Sequence, residues 1–268
     1  MDKDSLRKRY IYKLSTNFIG LLFNLVSQAI IPRSLGPKAY GDFNFLSNFF
    51  NQLVGFFDMG TSTCFYTKLS QRPKESSLVS FYLFYFTGLI SILMILFVII
   101  ASSLSFKTKL WPGQEASYVY MGAALGIITW ITMVVGQIAD AYGITVSTEI
   151  VRIVQKVVGL FVILSLYLFY HLNLKYFFCY NYLILSFLCI AFMWAIIHKG
   201  YSLKQNWKLS TEHIKKYLAE FYHYSHPLFI YSLIGLIVGI LDRWLLQFFA
   251  GSVQQGFFGL AYQIGGIC

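Results

Sequence analysis

The chain has 268 residues, of which 57% are hydrophobic, 19% aromatic and only 12% charged, and its mean hydropathy is +0.61. One soluble core cannot bury that much apolar surface, so the composition excludes a soluble globular domain and points to an integral membrane protein. The formal charge of +10 does not signal nucleic-acid binding either, because the basic residues lie between long apolar runs.

A bilayer core of about 30 Å needs roughly 20 apolar residues in helical form. Seven stretches meet this length, near Ile11 to Ile31, Phe43 to Tyr66, Val79 to Ser103, Tyr118 to Asp140, Ile150 to Tyr170, Tyr176 to His198 and Pro227 to Phe249. An eighth opens at Phe257. The first is too long and too rich in amides for a removable signal peptide and lacks a small-residue cleavage site, so it reads as span one. With the N-terminus in the cytoplasm, fifteen Lys and Arg fall on the cytoplasmic side, including Lys3, Lys204 and Lys208, against five outside, namely Arg33, Lys38, Lys107, Lys109 and Lys175. The orientation follows from that excess. The longest connection runs from Lys199 to His226. Within it a helix start at Ser210-Thr211-Glu212 and helical spacing of Ile214, Leu218, Phe221, Tyr222 and Ser225 predict an amphipathic helix in the cytoplasmic headgroup region. The alternative is a solvated connector.

Gly36-Pro-Lys-Ala-Tyr-Gly41-Asp-Phe43 follows span one, and Gly251-Ser-Val-Gln-Gln-Gly256-Phe-Phe258 follows span seven, at an offset of 215. Six spans separate the copies, so both enter the membrane from the same side, which predicts a parallel repeat of six-helix units. Gly36, Gly41, Gly251 and Gly256 are read as the residues of a tight hairpin, because glycine tolerates positive φ. Short loops between helices also hold glycine often, and the shared position relative to the spans favours the repeat.

Several spans carry polar faces. At about 100° per residue, Asn44, Asn48, Asn51, Gly55 and Asp58 share an arc of about 80° on span two, and Asn17, Asn24 and Gln28 share one on span one. Polar groups at membrane depth face a bundle interior or a hydrated cavity, and they also serve helix packing. Packing is favoured for the Gly122, Gly126, Thr129 and Gly136 stripe of span four, and cavity lining for span two. Asp58 is a candidate relay or coupling-ion carboxylate, and Arg243 a candidate anion contact; the competing reading pairs Asp58 or Asp242 with Arg243 structurally or places the span-seven charges at the interface. Asp140 reads as a helix-end residue. The cysteines Cys64, Cys179, Cys189 and Cys268 form no ligand cluster, so no disulfide framework, metal or cofactor is expected. His171, His198, His213, His223 and His226 stand apart from paired carboxylates, and the outer loops are short, which argues against an enzyme.

Taken together, Ile31-Pro-Arg-Ser-Leu-Gly-Pro-Lys-Ala-Tyr-Gly-Asp-Phe43, Phe56-Phe-Asp-Met-Gly60 and Asp242-Arg-Trp-Leu-Leu246 followed by Gly251 to Ala261 resemble the oligosaccharide flippases of bacterial polysaccharide export, the O-antigen translocase type, grouped with multidrug and toxic compound extrusion transporters and lipid II flippases. The resemblance covers the chain in order; Gln255 stands where Tyr40 stands in the first element. It implies an all-α polytopic protein of the bacterial inner membrane with two six-helix lobes about a cavity of alternating access. The implied domains are a six-helix lobe over residues 1–198, a connector over 199–226 and the start of a second lobe over 227–268. The implied cargo is an undecaprenyl diphosphate-linked sugar repeat unit moved to the periplasmic leaflet. Membrane lipids, an H+ or Na+ coupling ion and contact with polysaccharide polymerase machinery complete the expected partners. The family typically has twelve or more spans, so this chain is expected to be a truncated form. The alternatives are a cation-coupled multidrug exporter and an inactive remnant.

Overall fold

The computed structural model describes residues 6–103, 106–169, 172–201 and 211–265, and among them there is no strand. Lys3, Lys204, Lys208, the Ser210 helix start, His171 and Cys268 lie outside the described residues. Six helices are long and apolar enough to cross a membrane. Two of them are far too long for one crossing: Leu6–Asp58 has 53 residues and Leu228–Gly265 has 38, against roughly 20 for a bilayer core. Each is interrupted by a glycine in a left-handed conformation, Gly36 at φ 76° and Gly251 at φ 78°. At Gly36 the chain doubles back, since the Tyr40 hydroxyl reaches within 3.4 Å of Gln28 Oε1, twelve residues earlier; on one straight helix those residues would stand about 18 Å apart.

The helices therefore resolve into span 1 (6–35), span 2 (37–58, then Thr61–Gln71), span 3 (from Ser76 to Ser103), span 4 (Ala116–Ala141), span 5 (Thr145–Phe169), span 6 (Leu174–His198), span 7 (228–250) and the shorter span 8 (252–265). The two predicted hairpins are thus sharp bends, both at one end of the bundle, here the bend end; a connector helix, Thr211–Ser225, lies at the other.

The two bends pack on one another reciprocally. A Cβ on Gly41 would overlap the Ser252 carbonyl oxygen, and a Cβ on Gly256 would overlap the Pro37 carbonyl oxygen. Pro37 and Ser252 are separated by the same 215 residues as Gly41 and Gly256. The contact thus repeats itself about a local two-fold relation, and each glycine is needed for backbone approach rather than for its φ. A short segment after span 3, the helix Lys107–Leu110 with residues 111–115, straps across this junction. Gln114 donates to Asp42 Oδ1 on span 2 at 2.5 Å, while Trp244 and Gln247 of span 7 donate to the carbonyls of Lys109 and Pro112 at 2.8 and 3.1 Å. The bend end is closed by these contacts.

Two elements differ from the sequence expectation. Span 2 is not one helix from Phe43 to Tyr66: Met59 and Gly60 both take positive φ, 46° and 74°, and the helix restarts at Thr61. Span 3 contains a π-helical turn, Phe81–Phe86. The connector helix turns inward a face rotated slightly from the one its periodicity suggested, keeping Ile214, Phe221 and Ser225 and adding Tyr217 in place of Leu218 and Tyr222. Tyr217 and Phe221 are buried against Phe81, with Phe221 also on Tyr82 and Phe86, whereas Leu218 and Tyr222 are exposed. Protein contact with span 3, not the headgroup layer alone, takes up its apolar side. Arg72 pairs with Glu220 at 2.6 Å and with Glu75 at 3.1 Å, and the Tyr217 hydroxyl donates to Glu75 at 2.7 Å.

Spans 2 and 4 meet through the glycine stripe. A Cβ at Gly122 would stand 2.9 Å from Phe50 Cδ2, and one at Gly126 3.1 Å from Phe50 Cβ. Small residues here let two helices approach closely, as packing in lipid requires.

Candidate functional site

Spans 1, 2, 6 and 8 line a half-open cavity of about 230 Å³ near the bend end. Asn24, Ser27 and Gln28 come from span 1, Tyr40 from span 2, Tyr180 and Asn181 from span 6 and Gln263 from span 8. Helical geometry explains the span 1 contribution, since positions three and four apart fall on one face. Tyr40 is positioned by the Gly36 bend, and its hydroxyl donates to Gln263 Oε1 at 2.6 Å. Gln263 in turn donates to Asn44 Oδ1 at 3.4 Å, and Asn44 donates to the Tyr40 carbonyl at 2.8 Å. Two repeat elements thus supply one continuous polar network, rich in amide donors and acceptors suited to hydroxyl-bearing ligands.

Arg243 lies on span 7 and is the one buried basic residue among the described residues. Its guanidinium sits 5.4 Å from the Phe258 ring and 5.0 Å from the Tyr262 ring, both on span 8. Asp242, Tyr262 and Tyr40 are all close enough to act on it electrostatically. No carboxylate forms an ion pair with it among the described residues. Asp242 is exposed, and its Oδ1 accepts from the Arg243 backbone N–H at 2.7 Å instead. Neither Asp58 nor Asp242 forms an ion pair with this cation, although the Asp242 charge still acts on it. Two aromatic faces flank it, leaving the fork geometry of the guanidinium available for an anion.

The polar stripe of span 2 does not act as a unit. Asn44 belongs to the cavity network; Asn48 donates to the Gly239 carbonyl of span 7 at 2.9 Å; Asn51 is exposed and stands 3.4 Å from the Ser47 hydroxyl. Asp58 lies elsewhere, buried at the break in span 2. Its Oδ1 accepts from the Thr61 hydroxyl at 2.8 Å, the Ser62 N–H at 3.0 Å and the Tyr82 hydroxyl at 3.0 Å, and its Oδ2 from the Ser62 hydroxyl at 2.6 Å. Such a carboxylate caps the restarted helix and anchors it to span 3, so its lone pairs are taken. On span 1, Asn17 is exposed and lies apart from the cavity, while Asn24 and Gln28 line it.

Sequence reasoning missed Ser27, Tyr40, Tyr180, Asn181 and Gln263 as cavity residues. Asn181 sits among aromatic residues on a span that reads as apolar all round, and Gln263 lies in the eighth span. Gln263 is 215 residues after Asn48, so the repeat offset carried a signal for it. Also unmarked was Glu149, buried at the start of span 5 and 3.8 Å from Arg152. Among the described residues no group of His, Cys, Asp and Glu has the arrangement to hold a metal ion, and Cys64, Cys179 and Cys189 are unpaired thiols.

A family model for polysaccharide biosynthesis proteins matches residues 6–268. The chain belongs to that family. Neither a curated protein nor a solved structure matches it. Membership in the polysaccharide biosynthesis family, with six membrane-length helices two of which are folded at glycine bends, makes this a multi-pass membrane protein and a polysaccharide-related transporter.

Proposed function

We propose that the protein moves a lipid-linked oligosaccharide, carried on a polyprenyl diphosphate, from the cytoplasmic to the periplasmic leaflet of the bacterial inner membrane. The carrying observation is the amide-rich cavity, beside whose Tyr40 the buried Arg243 lies with no carboxylate in ion-pair contact with its guanidinium. Amides and the Tyr40 hydroxyl suit sugar hydroxyls, and a guanidinium suits a phosphate. A cavity of about 230 Å³ has the volume of roughly eight waters, the scale of one sugar ring. It would hold one residue of the cargo while the lipid stays in the bilayer. No bond in the cargo is made or broken, so the proposal is a transporter and not an enzyme.

Alternating access fits the same arrangement. The bend end is sealed by the strap and by the reciprocal glycine contact, whereas the connector-end half of span 1 exposes Tyr10, Leu14, Phe18 and Leu22. With the N-terminus cytoplasmic, as the distribution of Lys and Arg argues, this is a state closed toward the periplasm. The multidrug alternative leaned on Asp58 as a coupling group, and its carboxylate is engaged in capping.

Arg243→Ala and the cavity double variant Gln28→Ala/Gln263→Ala, expressed in a strain lacking the native copy, are expected to lower surface polymer at least tenfold with normal membrane abundance. Arg243→Lys, which keeps charge but loses the fork, should retain an intermediate level. Normal surface polymer in all three variants would overturn the assignment.

A further inference from the structure

Spans 2, 3 and 7 leave a second cavity between them, a groove of about 420 Å³ lined entirely by apolar side chains. Phe49 and Leu53 form one wall, Phe97 the back, and Leu236, Ile240 and Trp244 the other wall. The groove is open sideways, where Ile237 and Leu241 are about half exposed. On a helix bundle that crosses a membrane, a lateral opening of this kind meets acyl chains. Taking about 30 Å³ per methylene, near the volume share of one water in the liquid, the groove holds roughly 14 methylene groups, one acyl chain of ordinary length.

The rim of the groove is of different character. Leu110 closes its bend end, and Leu110 terminates the short helix that carries Lys107 and Lys109. Neither lysine has an ion pair among the described residues. Trp244 is fixed at the same rim by its indole N–H, which donates to the Lys109 carbonyl at 2.8 Å. Tryptophan with its ring in an apolar slot and its N–H at the polar boundary marks the level of the headgroups. An amphiphile with one chain in the groove and a negative headgroup beside Lys107 and Lys109 satisfies both parts. A zwitterionic lipid would bring its own cation to the two lysines, and a peptide would find no partners for its backbone in the slot.

We infer that this groove is a binding site for the acyl chain of an acidic phospholipid, with phosphatidylglycerol chemistry, whose headgroup is held by Lys107 and Lys109. The site lies apart from the amide cavity and does not depend on the transport reading. Two cations near an anionic headgroup give a preference of roughly tenfold or more over a neutral one.

The test is native mass spectrometry of the full chain purified in detergent, with phosphatidylglycerol, phosphatidylcholine of the same chain length or a polyprenyl phosphate added in steps, singly and in competition. The wild type should retain one phosphatidylglycerol at about tenfold lower lipid concentration than phosphatidylcholine. Lys107→Gln/Lys109→Gln should remove the preference and keep residual binding of both lipids, while Ile237→Trp, which fills the slot from its exposed rim, should lower binding of both. Thermal unfolding of each variant within a few degrees of wild type establishes that the fold is intact. Equal retention of the two lipids by the wild type, unchanged binding in both variants, or retention of a polyprenyl phosphate in place of phosphatidylglycerol would overturn the assignment.

Discussion

Asp58 shows how a single carboxylate at membrane depth can serve the fold where its type and depth suggest transport. By type and depth it reads as a relay, yet it accepts four hydrogen bonds at a helix restart. The local sequence Asp58-Met-Gly-Thr-Ser62 held the signal, since an acidic residue just before a left-handed glycine and a Thr-Ser pair is a cap pattern. Removing a buried acceptor leaves its donors unsatisfied, at a cost of about 1–3 kcal/mol each. Asp58→Ala is therefore expected to lower the unfolding temperature in detergent markedly, with Asp58→Asn intermediate, because the amide keeps one accepting oxygen. A relay role predicts the opposite pattern, with unfolding unchanged and transport lost in both. Arg243 is the complementary case: the sequence showed a cation in a span, but only the fold shows that aromatic rings rather than Asp242 surround it.

At the scale of elements, the spans were legible because a bilayer demands a run of about 20 apolar residues and each run stands between charges. The bends were legible through glycine spacing. What could not be read was the division of the span 2 stripe, because an amide facing a neighbouring helix and an amide facing a cavity occupy the same arc. Asn48 and Asn44 differ only in what spans 7 and 8 place opposite them. The connector helix is a similar case, since Phe81, Tyr82 and Phe86 across the gap decide which of its faces is buried. Its attachment is also pH-dependent. Burial alone would raise the Glu220 carboxyl, but the hydrogen bond and charge of Arg72, with Lys68 and Lys216, hold it below its ordinary value. A carboxyl depressed on docking stabilises the docked state above its ordinary pKa and loses that contribution as pH falls through the docked value. Protease accessibility of the connector is expected to rise in mildly acid buffer below about pH 4.5. Glu220→Gln should show the raised accessibility already at pH 7 and no further pH step there. The effect is small, since the pair is partly exposed and screened.

For the whole molecule, the reciprocal glycine contact ties the start of span 2 to the start of span 8, and the strap ties span 2 to span 7. If transport alternates between the two faces, this junction has to part when the periplasmic side opens. The strap's three hydrogen bonds, each worth about 1 kcal/mol net or somewhat more for the one to Asp42, can be exchanged for water. Trp111, however, is buried against Phe49, Phe50 and Phe97, and it has to leave its pocket or move with span 2 for the junction to part. The glycine contact, by contrast, stores no ion pair and leaves two smooth backbones that can slide or separate. Gly113 and Gln247 give a way to test this, because a Cβ on Gly113 would lie 4.0 Å from Gln247 Nε2. The double variant Gly113→Cys/Gln247→Cys, joined in membranes by a short bis-methanethiosulfonate that forms a disulfide with each cysteine, is expected to lose surface-polymer export and to regain it on reduction. Each single-cysteine variant should export normally after the same treatment. Because Gly113 has φ 73°, a side chain there costs about 1–2 kcal/mol, so the untreated double variant sets the baseline for comparison. Export that persists in the cross-linked protein would mean that the bend end stays closed through the cycle, and that the cargo leaves by another route.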